Sequence, residues 1–221
     1  MLPFSGAAVI VIKNVLGPVI VAGEDSGATI HYFIDKWISS ERTPPHPSLF
    51  SEIQVESQAR GDTLILSLST PSPAAGTVST ALLSLRVPAD VPCRVELSTG
   101  SADAYDLNAP LLINAYGTVT VVRQSGSCIA TTAIGDISAE IALPDSGACI
   151  LTTGRGNIGV LLPSISSAHV VGTTGSGTIT SSGLAFSVTL QTPSTFSGTL
   201  GTGTAQVSLT TGAGNIKIQG F

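Results

Sequence analysis

Thr152-Thr153-Gly154-Arg155-Gly156-Asn157-Ile158 returns as Thr210-Thr211-Gly212-Ala213-Gly214-Asn215-Ile216, with shorter echoes at Ser98-Thr99-Gly100, Gly135-Asp136-Ile137 and Thr173-Thr174-Gly175. Anchoring on the small residue before each short strand gives Ala102, Gly117, Gly135, Gly156, Gly177, Thr195 and Gly214. The mean interval is about 19 residues, within the range of solenoid coils. Seven residues before these anchors stand Val95, Pro110, Cys128, Cys149, Val170, Val188 and Val207; five before stand Leu97, Leu112, Ala130, Leu151, Gly172, Leu190 and Leu209. Columns this apolar, two residues apart, describe an inward ladder, because alternate side chains of a strand share a face. The expected fold is all-β: a parallel β-helix, or β-solenoid, of about seven coils.

Upstream of Val87 the texture is that of ordinary strands. Val9 to Lys13 and Pro18 to Ala22 flank a turn at Leu16-Gly17, and Thr29 to Ile38 is rich in aromatic and β-branched residues. Ser39 to Ser51 carries Pro44, Pro45 and Pro47 and reads as a loop, since proline has no amide to give a sheet. Glu52 to Ser57 and Thr63 to Ser69 read as a hairpin, and a loop with Pro71, Pro73 and Gly76 precedes Ala81 to Val87. The expected organisation is residues 1–87 as a strand region capping the stack, and 88–221 as the repeats.

Composition narrows the function. Only 10% of residues are charged against a usual value of about 25%. The net charge is −5 and the nine Lys and Arg stand singly, so no basic stripe exists to follow a phosphate backbone and nucleic acid is not an expected partner. The apolar run Ala7 to Ile12 falls short of the roughly 20 residues that span a bilayer, so no membrane span is expected. No charged lead with a cleavage site is visible, as would also hold for a secreted chain numbered from its mature end.

Val87-Pro88-Ala89-Asp90-Val91-Pro92, then Arg94-Val95-Glu96-Leu97, then the units Gly135-Asp136-Ile137, Gly156-Asn157-Ile158 and Gly214-Asn215-Ile216, together resemble the widespread prokaryotic putative-adhesin family of unknown function. The resemblance covers about residues 85 to 221, and more loosely Asn14 to Gly23. It implies a single-stranded β-helix, an extracellular or cell-surface setting, and no catalysis. Where that family commonly repeats Gly-Asp, this chain has Asp103, Thr118, Asp136, Asn157, Thr178, Phe196 and Asn215, which argues against an ion held by an aspartate ladder.

Several residues invite chemistry. Cys128 and Cys149 share a column one coil apart, at a separation of about 4.8 Å that a disulfide accepts; a dry, unbridged pair is the reading preferred, because the column is otherwise mostly valine, and Cys93, of the same inward parity, reads as core. There is no Cys-x-x-Cys and no clustered histidine, so no metal is expected. His31 lies near Asp35, whereas His46 and His169 stand apart. Gly154-Arg155-Gly156 and Gly175-Ser176-Gly177 read as tight corners of positive φ, not phosphate loops, and no cofactor is expected. Thr131, Thr152, Thr173 and Thr210 build a hydroxyl row that could meet glycans or simply suit strands.

The function expected is that of a non-enzymatic extracellular, adhesin-like protein that assembles with itself. Ala7, Ala8, Val9, Ile10, Val11 and Ile12 form the candidate assembly strand; Ile216, Ile218 and Phe221 form the candidate open edge to which it adds, head to tail, in a filament. The alternative is a monomer binding a glycan or protein along one face. The third is a polysaccharide-active enzyme using Asp136, Glu140 and Asp145 with Arg123 and Arg155, although acids at corners commonly bond backbone amides instead.

Overall fold

The computed structural model describes residues 2–3, 8–14, 16–25, 29–40, 48–69 and 77–221. Strands β1 (Leu2–Pro3), β2 (Val9–Asn14), β3 (Val19–Glu24) and β4 (Thr29–Ser40) precede a short helix, α1 (Ser48–Glu52). Then come β5 (Val55–Arg60), β6 (Thr63–Leu68), β7 (Thr77–Pro88), β8 (Cys93–Leu97), β9 (Ala102–Tyr105), β10 (Leu111–Ala115), β11 (Val119–Gln124), β12 (Cys128–Ile134) and β13 (Ile137–Ile141). The rest are β14 (Ala148–Arg155), β15 (Ile158–Leu162), β16 (Ala168–Thr174), β17 (Ile179–Ser182), β18 (Ser187–Gln191), β19 (Thr195–Leu200), β20 (Ala205–Ala213) and β21 (Ile216–Gly220).

The chain is all-β, with two long, mostly parallel sheets. A ten-stranded sheet runs β1-β4-β7-β3-β9-β11-β13-β15-β21-β17, and an eleven-stranded sheet runs β18-β19-β16-β20-β14-β12-β10-β8-β2-β6-β5. Each winding contributes one strand to each sheet, and the inward residues of both form one core, from Ile30 and Ile53 at one end to Phe196 and Leu200 at the other. The inward columns follow from alternation: Ile10, Cys93, Leu111, Cys128, Cys149, Val207 and Val170 are register partners in turn, all buried.

The corners explain the repeated Thr-Gly and Gly-polar-Ile. Thr132, Thr153, Thr211 and Thr174, all buried, donate their hydroxyls to the carbonyls of Gly117, Gly135, Gly156 and Gly214 at 2.6, 2.9, 2.8 and 2.8 Å. Gly156 and Gly214 have φ of 149° and 151°, and a Cβ on Gly214 would strike the Gly156 carbonyl oxygen. The next residue closes a second ladder: the amides of Asn157, Asn215 and Thr178 donate to side-chain oxygens of Asp136, Asn157 and Asn215 at 2.7, 2.9 and 2.9 Å.

Stack order departs from chain order at both ends. The last winding, β20 and β21, lies between β14–β15 and β16–β17, paired on both sides in both sheets. The first, β2 and β3, lies between β6–β7 and β8–β9 in the same way. Two expectations are corrected by this. Ile216 and Ile218 are fully buried in an interior strand and form no open edge, while Phe221, 56% exposed, returns its amide to Leu162 and accepts from Ser164. Val9, Ile10, Val11 and Ile12 are likewise interior and cannot add to another copy; Ala8 is tied to Asp62, and Ala7 lies outside the described residues. Residues 1–87 thus do more than cap: β2 with β3 and β6 with β7 make two windings of the stack, and β4 and β5 pair with its outermost strands, with Ile30 and Ile53 closing the core.

The anchor at Thr195 is also displaced. β18 and β19 form an antiparallel pair added to β16, with β18 wholly exposed, so Val188 and Leu190 point away from the core. Phe196 is buried instead, packed edge to face on Phe186 at 5.0 Å. At the Pro-rich segments, Ser48–Glu52 is helical, and residues 41–47 and 70–76 lie outside the described residues.

Candidate functional surface

The end of the ten-stranded sheet carries the protein's exposed aromatic face. β4 pairs antiparallel with β7 over its whole length except Thr29 and Ile30, which pair with β1. Partners directly opposite share a face, so His31 with Arg86, Phe33 with Ser84, Asp35 with Leu82, Trp37 with Thr80, and Ser39 with Val78 all look outward. Their alternates Ile30, Ile34 and Ile38 pack on the core. Phe33, Trp37 and Val78 are 60%, 54% and 63% exposed. β7 meets β3 only over Leu83–Pro88, so the Trp37 and Val78 half of the ribbon projects past β3. Beside it lies a depression of about 330 Å³ lined by Ile20, Ala22, His31, Phe33, Ser84 and Arg86. Further along the same sheet, the row that begins at Ser84 and Ile20 becomes polar: Asp103, Thr120, Ser138, Gly159, Lys217 and Thr180.

A second feature sits midway along this sheet. Register shifts between Val121 and Gln124, where β11 carries one residue more than β13. This bulge sets Arg123 at a φ of 54°, and Asp106 on the neighbouring winding has a φ of 57°. The two meet in a bidentate pair at 2.5 and 2.7 Å, and the hydrogen bonds from Arg123 hold the Asp106 carboxyl below its usual range. Past the bulge, Gln124 turns inward, 1% exposed, and its amide Nε2 donates to the Ala109 carbonyl at 2.8 Å; Oε1 has no partner. A depression of about 260 Å³ opens here, between Arg123, Gln124, Ser125, Glu140, Pro163 and Phe221.

The remaining candidates separate. Asp136, at the corner before β13, and Glu140, on that strand, have backbones about 13 Å apart at four residues of strand rise, wider than the roughly 5–10 Å between the carboxylates of glycosidases. Asp136 is engaged at the corner by the Asn157 amide, Asp145 lines a different depression with Ile165, and Arg155 is a register partner of Ile134 and Ala213. His31 belongs to the aromatic face, His169 sits on β16, and His46 lies outside the described residues. Thr131, Thr152, Thr210 and Thr173 do form one outward row, in that stacking order, beside the half-exposed Ile129 and Ile150.

Cys128 and Cys149 are register partners, and both, like Cys93, are buried free thiols. Burial pushes Cys93 and Cys128 from 9.0 up to about 12, and Cys149 well up. Protonated and sealed, these thiols should react with a thiol reagent at neutral pH only on unfolding. Raised folded values imply stability fully present below the unfolded pKa and lost as pH climbs from about 9 towards 12, so alkaline titration should unfold the protein in that window. Rapid labelling of native protein, or unchanged stability at alkaline pH, would contradict this.

No protein-family model matches the sequence, and no curated protein matches it. The fold is shared with a putative cell adhesion protein of Clostridium sporogenes. That crystal structure superposes with a TM-score of 0.56 at 14% identity, covering 100% of this chain and 96% of its own. A putative adhesin of Bacteroides fragilis is similar at a TM-score of 0.34 and 12% identity, over 98% of this chain and 94% of its own. At 14% identity the likeness to the Clostridium structure is one of fold alone.

Proposed function

We propose that this chain is a non-enzymatic, adhesin-like protein displayed outside the cell or at its surface, and that it holds a glycan laid flat on the outer face of the ten-stranded sheet at its capped end. The observation that carries the reading is the platform of Phe33, Trp37 and Val78, each more than half exposed on the paired ribbon of β4 and β7. Contiguous apolar surface of this kind marks interaction sites on soluble folds. Aromatic rings stack on the C–H faces of pyranoses, and His31, Asp35, Ser84 and Arg86 stand at the rim as hydrogen-bonding groups. The name of the Clostridium structure adds support from outside the chain.

Screening on an array of surface polysaccharides tests the reading. The protein should bind a subset, and the double variant Phe33→Ala/Trp37→Ala should lose about 30-fold or more, the cost of removing a central aromatic anchor, while keeping its melting temperature. Full binding by the folded double variant would sink the idea.

β4 favours a second reading, self-association. Beyond Thr29 and Ile30, the outer edge of this twelve-residue strand has no strand partner among the described residues. Long, apolar edges recruit further strands. A sizing column across concentrations separates the readings: monomers throughout favour ligand binding, whereas dimers abolished by Trp37→Lys favour pairing at β4.

A further inference from the structure

The last winding occupies a place that the chain before it has already framed. β14 and β15 form one wall and β16 and β17 the other, and β20 and β21 are parallel partners of both walls in both sheets. Ala205, Val207, Leu209, Ile216 and Ile218 fill the inward columns, each 2% exposed or less. The slot also selects at its corner. Thr211 donates its hydroxyl to the Gly156 carbonyl, and the Gly214 carbonyl accepts from Thr174. Asn215 donates its amide to the Asn157 side chain, while its own Oδ1 accepts the amide of Thr178. A Cβ at position 214 is shut out by the Gly156 carbonyl. A segment that satisfies both walls therefore needs Thr, Gly and Asn in this register between two alternating strands, which is the sequence of this chain's own C-terminal winding.

What ties that winding to its own copy is slight. β20 does not pair with the strand that precedes it: β16 lies between β19 and β20, and Ala168 is the register partner of Leu200 on one side and of Ala205 on the other. Leu200 and Ala205 are thus two strand spacings apart, about 10 Å, and residues 201–204 carry the chain across the start of β16. This bridge is Gly-Thr-Gly-Thr. Gly201 and Gly203 have φ of 54° and 73°, which glycine exchanges for an extended backbone without steric cost. Its side-chain holds are exposed hydrogen bonds at Ser167, whose Oγ accepts the Thr202 amide at 3.1 Å and whose carbonyl accepts the Thr204 hydroxyl at 3.3 Å. A terminal element with its core contacts in a slot and one flexible link to the body is suited to exchange between copies, because a second copy's segment reproduces every contact in the slot.

We infer that the slot between β14–β15 and β16–β17 is an interaction site for a second copy of this chain, whose residues 204–221 fill it in place of the resident winding. With the bridge extended, β19 of one copy runs on into β20 seated in the other. The two forms differ at the bridge and not in the slot, so protein concentration and bridge length set their ratio. The inference rests neither on the aromatic platform nor on pairing at the β4 edge, since neither shares a residue with the slot or the bridge.

Two full-length variants test it. Thr152→Cys marks a wall of the slot and Thr210→Cys marks the winding; the two positions are outward register partners, so their thiols meet only where a winding occupies a slot. The native thiols are buried and stay out of the reaction. Unfolded in urea together and refolded as a concentrated mixture, the two proteins should oxidise to a covalent pair with one copy of each. Ser138→Cys, on the other sheet, should form no such pair with Thr210→Cys. Thr152→Cys/Thr210→Cys on one chain, refolded dilute, should close internally. Removal of Gly201, Thr202 and Gly203 leaves two Cα–Cα steps, roughly 7 Å, for a crossing of about 10 Å. That variant should keep the strand content of the parent and elute as a dimer at every concentration, and Trp37→Lys should not dissociate it. Co-refolded chains that elute only as monomers and give no covalent pair overturn the inference. So does a folded, monomeric deletion variant; should the deletion prevent folding, the cysteine mixture decides.

Discussion

Deletion of residues 1–14 is expected to abolish cooperative folding rather than to release soluble monomers. β2 lies in the middle of the eleven-stranded sheet, with β6 on one side and β8 on the other. Ile10 and Ile12 are fully buried and Val11 nearly so. Full burial of three such side chains is worth about 5–9 kcal/mol, before any ladder hydrogen bond is counted. That matches the whole stability of an ordinary domain, about 5–15 kcal/mol. The loss also strands β6, β7 and their cap from the remaining windings. Circular dichroism and urea titration of the truncated chain should show no folding transition. A folded, monomeric product would mean that β2 is peripheral and that filament growth through it is again open.

The second large effect is at the opposite end. Phe196→Ala should cost about 3–5 kcal/mol, because a large buried ring is replaced by a cavity. The ring is accommodated by glycine: Gly172 is its direct partner on β16, and a Cβ at Gly198 would crowd both Phe196 and Phe186. Val188→Ala and Leu190→Ala, each on the exposed face of β18, should stay within about 0.5 kcal/mol. The contrast in thermal or urea midpoints is diagnostic. The periodic reading of the sequence puts Val188 and Leu190 in the core and Phe196 at a polar corner, and so orders the three effects the other way.

What could be read from residues alone was local. Alternation along Cys149-Ile150-Leu151 and tight glycine corners are set by strand geometry within a few residues, and they located most of the inward column and every corner from Gly117 to Gly177. Which winding lies on which leaves no such local trace. The likeness of Thr152–Ile158 to Thr210–Ile216 carried a hint, for these segments turn out to be register partners in direct contact. Val9 to Lys13, Leu16-Gly17 and Pro18 to Ala22 were legible as strand, turn and strand; that they form a winding depends on partners 54 to 83 residues away.

The candidate surfaces were harder. Thr29 to Ile38 reads as an aromatic strand, but its outward parity depends on its pairing with β7. Gln124 was out of reach for a sharper reason. Continued alternation from Val119 and Val121 points Arg123 inward and Gln124 outward, and a single extra residue at the bulge reverses both.

Amide hydrogen exchange on the native protein tests the central claim most directly, that both terminal segments are interior and the lateral faces are left for binding. The amides of Val9–Asn14 and Ile216–Gly220 should be protected to the same degree as those of Cys128–Ile134, since all three are paired on both sides, while β18 and the outer edge of β4 exchange early. Fast exchange at Val9–Asn14 or Ile216–Gly220 would restore them as open edges and contradict the account.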